Sequence, residues 1–494
     1  MEEDNQLIKE RKEKLQDIRK AGKNPYSYRF DKQITAGELQ KKYGHLKKEE
    51  SLPDVVKTAG RIMMLRRMGK VTFITLRDGT GKIQLYFKQD DLGNDNYKFL
   101  KKLDIGDIIG LEGSVFATKT GELTIAVRLF EILTKSLHPL PEKFHGLKEK
   151  ELRYRQRYLD LIMNPEVREA FMKRAEIIQG IREFLLKRGF IEVETPILQP
   201  IYGGTSAKPF ESKLHALDMT VFMRISNEMY LKRLLVGGYD KIFEFSQDFR
   251  NEGIDKTHNP EFLLMETMWA YADYRMNMDL TEEMFEFLAK RVTGGTKVRF
   301  QGKEIDFKRP WKRITMVDAI KEYVGIDIEK LSDDEIQGFI KEKGLSYEGS
   351  YNRGIAMEFI FGELVEEKLI QPTMVYDYPF ETCGLAKPKK DNPRFAERFE
   401  PYINGWELGN SYSELNDPQI LKEYWEREEK RRAKESDEEA QRLDTDFIRA
   451  LEYGMPPASG LGIGVDRLVM LLTDSVSIRD VILFPFMKPE AETE

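Results

Sequence analysis

Residues Lys241 to Asp273 read KIFEFSQDFRNEGIDKTHNPEFLLMETMWAYAD, a pattern that predicts two antiparallel strands joined by a charged loop. Successive residues of a strand point to opposite sides, so the first strand has an apolar and a polar face. The apolar face comprises Phe243, Phe245 and Phe249, and the polar face comprises Ser246, Asp248 and Arg250. We expect the polar face to meet a ligand, and its arginine is suited to binding a polyphosphate.

The returning strand carries a mixed set of side chains on one face. That face comprises Phe262, Leu264, Glu266 and Met268. An aromatic ring, a carboxylate and a thioether would therefore line the same pocket. Gly253 and the Asn259-Pro260 pair mark residues 251–261 as the turn between the strands. Taken alone, the pattern also fits an ordinary hairpin with a charged tip, because short motifs often arise by chance.

A glycine-spaced strand leads into a helix near the carboxyl end. Residues Ser459 to Pro485 read SGLGIGVDRLVMLLTDSVSIRDVILFP, with glycines at 460, 462 and 464 before Asp466-Arg467. Close packing of a strand against a helix would also explain these glycines, because glycine lacks a Cβ. A dinucleotide-binding fingerprint is excluded by the Asp-Arg pair and by the position in the chain.

A third stretch lies upstream of the hairpin. Residues Phe184 to Phe210 read FLLKRGFIEVETPILQPIYGGTSAKPF, which predicts a helix, a turn at Gly189, a strand ending at Pro196 and a small-residue loop. These three stretches, in this order, resemble the three signature motifs of class II aminoacyl-tRNA synthetases. Three further segments resemble sequences of the lysyl-tRNA synthetase family in particular: ISNEMYLKRLLVGG, THNPEF and GWELGNSYSELND. The resemblance covers nearly the whole chain.

Composition sets broad limits on the protein. A length of 494 residues indicates more than one domain, and 40 % hydrophobic residues suffice for packed cores. A net charge of -6 means that any nucleic acid would meet local basic patches. The acidic start MEEDNQ and the absence of a long apolar run argue against a signal peptide or membrane span, so we expect a cytoplasmic protein.

Cysteine and histidine usage argues against a transition-metal cluster. The single cysteine, Cys383, excludes an internal disulfide and a multi-cysteine zinc site. The histidines are scattered along the chain: His45, His138, His145, His215 and His258.

The chain is expected to have an α+β fold in several parts. Residues 1–48 are a basic helical extension that is either solvated or touches the tRNA backbone. Residues 49–138 alternate like short strands with turns at Asp78-Gly79, Gly81 and Gly121, which predicts an OB-type β-barrel. Residues 139–151 are a charged linker before the domain 152–494, and about 296–369 are an inserted helical module without recognisable chemistry. The resemblance implies that the last domain is a class II antiparallel sheet flanked by helices.

The resemblance implies that the barrel is the anticodon-binding domain, and such barrels hold single-stranded bases on aromatic faces. The resemblance carries over Arg66, Phe73 and Gln84, with Phe73 stacking on the central uridine and Gln84 bonding its edge. Glu122 matches a position near the first anticodon base. The alternative for Phe73 is a residue packed in the barrel core.

The reaction that the resemblance implies joins an amino acid to ATP and then to tRNA. The amino-acid carboxylate attacks the α-phosphorus, and fixed positive charge is needed where negative charge develops. Arg250 and Arg467 match the catalytic arginines, the first between α-phosphate and substrate carboxylate and the second at the far end of ATP. Phe262 matches the ring that stacks on adenine, with Glu252 and Asn259 nearby.

Magnesium is the expected cofactor. Glu400 and Glu407 match the carboxylates that hold it, and Glu407 is also placed with the ATP contacts. Mg²⁺ prefers oxygen ligands, and ATP would supply the remaining ones. Without the resemblance, an exposed acidic strand would explain both residues.

The expected amino-acid pocket is rich in carboxylates. Gly203 and Glu228 match positions at the α-amino group, and Glu266, Asn410 and Glu414 match positions around the side chain. A buried ammonium needs a negative partner, so such a pocket favours a cationic substrate and would repel an acidic one. This agrees with lysine.

Three positions depart from the family pattern. Met268 stands where a tyrosine usually contacts the lysine side chain; we expect lysine still to bind, with the thioether packed on its methylenes. A Met268→Tyr change is therefore expected to alter lysine affinity or selectivity. Cys383-Gly384 replaces Ser-Pro, and Asn227 replaces a common proline. Both are expected to alter only loop rigidity.

The resulting hypothesis is an ATP-dependent lysine-tRNA ligase whose partners are ATP, lysine and tRNA(Lys), with no membrane contact. The first motif around Pro196 implies a homodimer. Two alternatives remain open: a ligase of the same fold for another amino acid, and a paralogue that binds tRNA without charging it.

Overall fold

The computed structural model describes residues 2–141, 149–347, 349–435 and 443–489. Two compact units divide the chain at Lys148 and Glu149. The core of the linker predicted at 139–151, together with His145, lies outside the described residues. Within the described ranges, no helix combines the length and apolar character that crossing a membrane requires.

The first unit contains a closed barrel with strand order β1-β2-β3-β5-β4. The strands are β1 Ser51–Met68, β2 Val71–Arg77, β3 Lys82–Lys88, β4 Ile108–Ala117 and β5 Leu123–Thr134. Strand β3 pairs with β5 in parallel, and the other pairs are antiparallel. In β2, Thr72, Ile74 and Leu76 are buried and alternate with partly exposed residues, so the predicted period of two is confirmed.

Helices surround this barrel at its ends. They are α1 Glu2–Lys20, α2 Ala36–Tyr43, α3 Gln89–Leu92 and α4 Asn94–Leu100. In the basic helix α1, Leu15 and Ile18 are buried, and Arg11 donates to the carbonyl oxygens of Ser136 and His138. One face of α1 is therefore packed on its own unit, while most of its lysines remain exposed.

The second unit is built on a sheet with strand order β14-β15-β16-β18-β19-β11-β10-β6, with β17 paired to β16. Its strands are β6 Ile191–Glu192, β10 Lys241–Phe249, β11 Glu261–Ala270, β14 Lys312–Thr315, β15 Thr373–Pro379, β16 Phe395–Ile403, β17 Trp406–Glu407, β18 Gly409–Ser413 and β19 Ala458–Gly464. The sheet is antiparallel through its middle, and only the outer pairs β14-β15 and β6-β10 are parallel among the described pairings.

Small sheets accompany the main one. The first has the order β7-β9-β8, and the second pairs β12 with β13. Their strands are β7 Leu198–Gln199, β8 Glu211–Leu214, β9 Met219–Met223, β12 Lys297–Phe300 and β13 Lys303–Asp306.

Helices cover the main sheet and connect its strands. They are α5 Lys150–Arg155, α6 Arg157–Met163, α7 Pro165–Leu186, α8 Glu228–Val236, α9 Tyr274–Thr293, α10 Met316–Val324, α11 Asp333–Glu342, α12 Arg353–Leu364, α13 Pro418–Glu435, α14 Thr445–Glu452, α15 Val465–Thr473 and α16 Ile478–Val481. Short 3₁₀ turns occupy His215–Leu217, Glu366–Lys368 and Phe380–Thr382.

The main core lies between the sheet and helices α7, α9 and α15. Ile181, Phe285 and Leu468 come from these helices, and Phe243 and Ile463 come from the strands that they cover. All five are buried. Because the helices occupy this face, the opposite face of β11, β18 and β19 is left for a cavity.

The predicted helical module at about 296–369 begins later than expected. Residues 297–315 form β12, β13 and β14 because they alternate apolar and charged side chains, as in KVRF and KEID. The helices start at Met316, and α10, α11 and α12 share one hydrophobic cluster with strands of the main sheet, including Val375 of β15 and Tyr402 of β16.

Candidate active site

A cavity of about 410 Å³ opens on the sheet, with β19 as its floor. Gly460, Leu461, Gly462 and Gly464 line it, and Leu461 and Ile463 also belong to the hydrophobic core. A Cβ at Gly460 would lie 2.4 Å from Glu414 Oε1 and 3.0 Å from Met268 Sδ. The alternate glycines therefore leave the volume that the cavity occupies.

Two strands form the walls above this floor. In β11, Glu266 pairs with Gly462 and Met268 pairs with Gly460. In β18, Asn410 and Tyr412 pair with the same two glycines. Paired residues on adjacent strands share a face, so the two strands place their side chains opposite one another over the glycines. Phe262 and Leu264 continue the β11 wall, as the alternation predicted.

Arg250 lies at the turn between β10 and β11. Its backbone N–H donates to the carbonyl oxygen of Pro260 at 2.9 Å, which fixes the start of the loop. Its guanidinium carbon lies 4.9 Å from the centroid of the Phe262 ring, and its buried Nε has no hydrogen-bond partner among the described residues. A guanidinium held by an aromatic face with a free donor is arranged to bind an anion.

Arg467 is held at the far end of the cavity by two contacts. Its Nη1 donates to the carbonyl oxygen of Glu407 at 2.6 Å, and its Nη2 lies 3.0 Å from His258 Nε2. Arginine can only donate, so Nε2 of His258 accepts, and Nδ1 carries the proton that it donates to Asp255 at 2.8 Å. Burial alone would raise the pKa of Asp255, but hydrogen bonds from Thr257 and His258 lower it to about 2.

The residue before Arg467 anchors helix α15. Asp466 is buried, accepts from Arg174 Nη1, and accepts from the Leu263 backbone N–H at 2.8 Å. These bonds tie the first turn of the helix to β11, and they thereby fix where Arg467 projects.

Two glutamates, Glu400 and Glu407, line the same cavity. Glu400 is buried and accepts from Tyr378 at 2.7 Å, from Tyr402 at 2.6 Å and from Arg398 Nη2. Burial in the cavity, followed by the negative charge of Glu400, raises the pKa of Glu407 to about 7. Arg398 pairs with Glu400, and Arg467 Nη1 lies 4.0 Å from Glu407 Oε2, so each carboxylate has a cationic neighbour. The Glu407 side chain is 42% exposed, which leaves its oxygen atoms accessible to a divalent cation.

The described residues alone do not form a complete metal site. Among the described residues, no group of three or more His, Cys, Asp or Glu side chains is arranged to hold a metal ion. Glu400 and Glu407 offer oxygen donors only, which suits magnesium better than a transition metal. A cation here would need oxygen ligands from a bound nucleotide.

The other end of the cavity is strongly acidic. Glu228, Glu266 and Glu414 line it, and each is at most 6 % exposed. Lys232, 1 % exposed, pairs with Glu228 Oε1 and lies 2.5 Å from Glu414 Oε2. Tyr412 donates from its hydroxyl to Glu228 Oε1 at 2.6 Å.

These groups titrate abnormally because they share a buried space. Burial, then the negative charges of Glu228 and others, raises the pKa of Glu266 well above its ordinary value. Burial also raises the pKa of Glu414 to about 8, although Lys232 opposes the shift. Burial alone would lower the pKa of Lys232, but Glu228 and Glu414 raise it above its ordinary value. Three carboxylates thus face one buried ammonium, and the excess of carboxylates favours a cationic ligand.

The departures at 227, 383 and 384 have structural partners. Asn227 Nδ2 donates to Glu244 Oε2 at 2.8 Å in the buried region below α8. Cys383 is buried, and its Sγ accepts from Arg398 Nη1 at 3.3 Å. A Cβ at Gly384 would lie 2.0 Å from the Tyr424 ring. That these departures alter only loop rigidity stays a prediction.

Almost all residues predicted for the active site line this one cavity. They are Glu228, Arg250, Glu252, Asn259, Phe262, Glu266, Met268, Glu400, Glu407, Asn410, Glu414 and Arg467. Gly203 is not among the lining residues, which include its neighbours Gly204 and Thr205. The α-amino role of Gly203 stays a prediction.

Several residues of the site were not predicted, although the pattern held a signal for each. Lys232 follows Glu228 by four residues, the spacing that puts two side chains on one helix face. Tyr412 alternates with Asn410 and Glu414 in the strand period. His258 directly precedes Asn259, and Arg398 lies two residues before Glu400 on β16; Arg398 Nε donates to Asn410 Oδ1 at 3.1 Å.

The barrel of the first unit carries an aromatic row on its outer surface. The Phe73 and Tyr86 ring centroids lie 5.2 Å apart, and those of Tyr86 and Phe116 lie 5.9 Å apart. All three rings are partly exposed, so Phe73 is not a residue of the barrel core. Gln84 lies two residues before Tyr86 on β3 and donates to Thr124 Oγ1 at 3.0 Å.

Arg66 and Glu122 are both exposed on the barrel. Arg66 pairs directly with Phe73 across β1 and β2. Glu122 precedes β5, and its carbonyl oxygen accepts from Thr124, the residue bonded to Gln84. The four residues predicted to read the anticodon therefore lie on neighbouring strands or at a strand end of the same unit.

Comparison with known families agrees with both units. Residues 149–488 match the family described as tRNA synthetases class II (D, K and N). Residues 56–133 match the OB-fold nucleic acid binding domain. The first match covers the cavity and all its predicted residues, and the second covers the barrel.

Curated relatives match over nearly their whole length. A lysine–tRNA ligase of Thermoanaerobacter pseudethanolicus is 52% identical over 99% of this chain and 97% of its own. The lysine–tRNA ligase of Carboxydothermus hydrogenoformans is 52% identical, covering 98% of each chain. That of Clostridium novyi is 51% identical over 98% of this chain and 95% of its own. The chain therefore belongs to the lysine–tRNA ligase family of class II tRNA synthetases.

Proposed function

We propose that this protein activates lysine with ATP and transfers it to tRNA(Lys). One observation supports the substrate above all: the closed end of the cavity holds three buried carboxylates against a single buried lysine. A lysine substrate brings two ammonium groups, one for each unbalanced charge. Its carboxylate would lie toward Arg250, which borders the same cavity.

Activation joins two anions, so we assign the main catalytic role to the two arginines that would bind them. Arg250 would bridge the substrate carboxylate and the α-phosphate, and its partnerless buried Nε supports this role. Arg467 would bind the distal phosphates, with its plane fixed by His258 and the Glu407 carbonyl. The lysine carboxylate is already ionised at neutral pH, so no protein general base is needed. The positive charges of Arg250 and Arg467 would be in place before the transition state forms.

Adenine recognition would use the hairpin. Phe262 lines the cavity beside Arg250, and a ring at this position can stack on a base. Asn259 and Glu252 lie at the same end, and the buried Oδ1 of Asn259 has no partner among the described residues. We propose that these two residues complete the ATP site.

We propose Glu400 and Glu407 as the protein ligands of Mg²⁺. Both residues line the cavity, and the Glu407 side chain is 42% exposed, so its oxygen atoms are accessible to a cation. When bound, the ion would neutralise charge on the phosphates. The tyrosines and Arg398 around Glu400 hold that carboxylate in place.

The barrel would select the tRNA. We propose that Phe73 stacks on the central anticodon base, with Gln84, Arg66 and Glu122 nearby. The outward position of the Phe73 ring and its neighbour Tyr86 support this role. We further propose a cytoplasmic homodimer, for which the exposed Ile191, Ile197 and Leu198 around the first motif offer an apolar surface.

Two assays separate this function from its alternatives. We expect the protein to charge tRNA(Lys) with labelled lysine and to retain that tRNA in filter binding. An Arg250→Lys change keeps the charge but loses the guanidinium fork, so charging should fall at least about a hundredfold while tRNA binding stays unchanged. Binding without charging by the unaltered protein would indicate the non-charging paralogue instead.

A further inference from the structure

Asp248 is a buried carboxylate behind the cavity, and the reaction described above gives it no role. It is 0 % exposed and lies on β10, two residues before Arg250. Alternation along the strand puts both residues on the same face. Neither carboxylate oxygen has a hydrogen-bond partner among the described residues, although Arg224 Nε lies 3.3 Å from Oδ1 as an ion pair. Buried polar groups are normally hydrogen-bonded, so this exception calls for an explanation.

The opposite strand relates Asp248 and Arg250 to the same aromatic ring. Phe262 pairs with Asp248 across β10 and β11, and its ring centroid lies 4.9 Å from the guanidinium carbon of Arg250. The ring and the guanidinium line the cavity, whereas Asp248 does not. The carboxylate is therefore on the protein side of the arginine that would bind phosphate.

The charges around Asp248 leave Arg250 as the cation that it balances. Arg224 Nη1 donates to Glu244 Oε1 at 2.7 Å, so these two buried groups already form a neutral pair. Burial raises the pKa of Asp248 to about 6, although the positive charges of Arg224 and Arg250 oppose the shift. At neutral pH the carboxylate is thus ionised, but a small loss of nearby positive charge suffices to protonate it.

We propose that Asp248 is the counter-ion of Arg250 in the empty site, and that it takes up a proton from solvent when phosphate binds to Arg250. The bound phosphate neutralises the guanidinium, so the carboxylate loses the positive charge that keeps it ionised. Glu266 on β11 faces the same space: burial, then the charges of Glu228 and Asp248, raise its pKa. Protonation of Asp248 removes a surplus negative charge from this buried region. This role rests on the proposed binding of ATP at Arg250.

The first test compares the unaltered protein with Asp248→Asn, which keeps the shape of the side chain and cannot ionise. Calorimetry gives the Kd of each protein for MgATP between pH 5.5 and 8, and the ratio of the two constants cancels the titration of ATP itself. At about pH 5.5 the carboxyl group is largely protonated with or without ligand, so the ratio should be close to one. At about pH 8 the ionised carboxylate opposes the phosphate, so the unaltered protein should bind at least about fivefold more weakly than the variant.

A matched control and a second measurement support this comparison. Asp391→Asn, at an exposed aspartate outside the cavity lining, should follow the unaltered protein at every pH. Infrared difference spectra of the unaltered protein depend on no variant: at neutral pH, added MgATP should produce the band of a newly protonated carboxyl group. The same band should be missing from Asp248→Asn.

The outcomes distinguish the counter-ion role from the proposed function. If lysine-dependent exchange is present but the Kd ratio does not change with pH, or MgATP adds no protonated carboxyl group, the counter-ion role is overturned and the function stands. If the ratio rises with pH as described but no amino acid supports exchange, the counter-ion role stands and the proposed function fails. If the unaltered protein does not bind MgATP, both are overturned.

Discussion

Lys232 Nζ lies 2.5 Å from Glu414 Oε2, with side-chain exposures of 1% and 0%. The same ammonium pairs with Glu228, so one lysine on α8 joins two carboxylates that are far apart in sequence. Removing one member of a buried ion pair leaves an uncompensated charge, which is costly. The acidic end of the cavity therefore depends on Lys232 for its shape as well as for its charge.

Replacing Lys232 by glutamine should impair lysine use and stability together. With the ammonium gone, Glu228 and Glu414 lose the cation that pairs with both, and the pKa of Glu414 rises further because Lys232 no longer opposes the effect of burial. We expect the KM for lysine to rise at least about tenfold and the free energy of unfolding to fall by about 3 kcal/mol. The kinetics of ATP–pyrophosphate exchange measure the KM, and urea denaturation measures the free energy of unfolding. Lys213→Gln, at an exposed lysine, is the control; an unchanged lysine KM in Lys232→Gln would contradict the assigned role.

Lysine binding should become tighter as the pH rises from about 6 to 8. Burial raises the pKa of Glu414 to about 8, so below that pH the empty site holds a proton that a bound ammonium must displace. Affinity should gain up to about tenfold per pH unit and then level off. Calorimetry in buffers of different ionisation enthalpy would detect the released proton. A dissociation constant independent of pH, or a slope that persists in Glu414→Gln, would contradict this.

The same group affects the stability of the empty protein. The folded-state pKa of Glu414 lies above the unfolded value of roughly 4.3, so unfolding releases a proton between these pH values. The free energy of unfolding should accordingly fall as pH rises from about 4.3 to 8. Glu414→Gln should flatten this dependence in denaturation measured across that range.

His258 should matter for ATP and not for lysine. It accepts from Arg467 and is itself held by Asp255, so His258→Ala leaves the guanidinium less fixed. We expect the KM for ATP to rise about fivefold with the lysine KM unchanged. Asp255→Asn should give a smaller effect in the same direction, because the imidazole loses only its orienting partner. Equal changes in both constants would show that the loop acts on the whole cavity instead.

Phe73 should act only when tRNA is the substrate. Loss of a base-stacking ring costs about 1–3 kcal/mol, so Phe73→Ala should lower kcat/KM for tRNA charging by about tenfold to a hundredfold. Exchange without tRNA reports on the catalytic unit and should not change. Tyr28→Ala, at a fully exposed tyrosine of the same unit, is the control. Normal charging by Phe73→Ala would remove the ring from the anticodon site.

Magnesium dependence should follow Glu407. Chelation by EDTA is expected to abolish exchange, and added Mg²⁺ to restore it. Glu407→Gln loses a charged oxygen ligand, so half-maximal activity should need about tenfold more Mg²⁺. Glu363→Gln, at an exposed glutamate of α12, should behave like the unaltered protein. A titration curve unchanged by Glu407→Gln would exclude this carboxylate as a ligand.

Periodic patterns account for what the sequence could predict. Alternation in residues 262–268 placed one face of β11 in the cavity. The same period of two indicated the barrel strands. These patterns work because a strand shows each face to a single environment along its length.

Contacts between distant segments account for what the sequence could not predict. The four-residue spacing in NEMYLKR places Lys232 on the helix face of Glu228, but it does not reveal the second partner, Glu414, which directly follows β18. Likewise, Arg398 is stabilised by Glu400 on its own strand but also by Asn410 and Cys383 from other segments. Such buried charges are tolerated only by the assembled set of partners, which no local pattern contains.

Amino-acid-dependent ATP–pyrophosphate exchange, measured with each standard amino acid in turn, tests the central claim most directly. The account predicts exchange with lysine alone, because only lysine brings two ammonium groups to the acidic end of the cavity. Exchange with a different amino acid, or with none while tRNA binding persists, would contradict it.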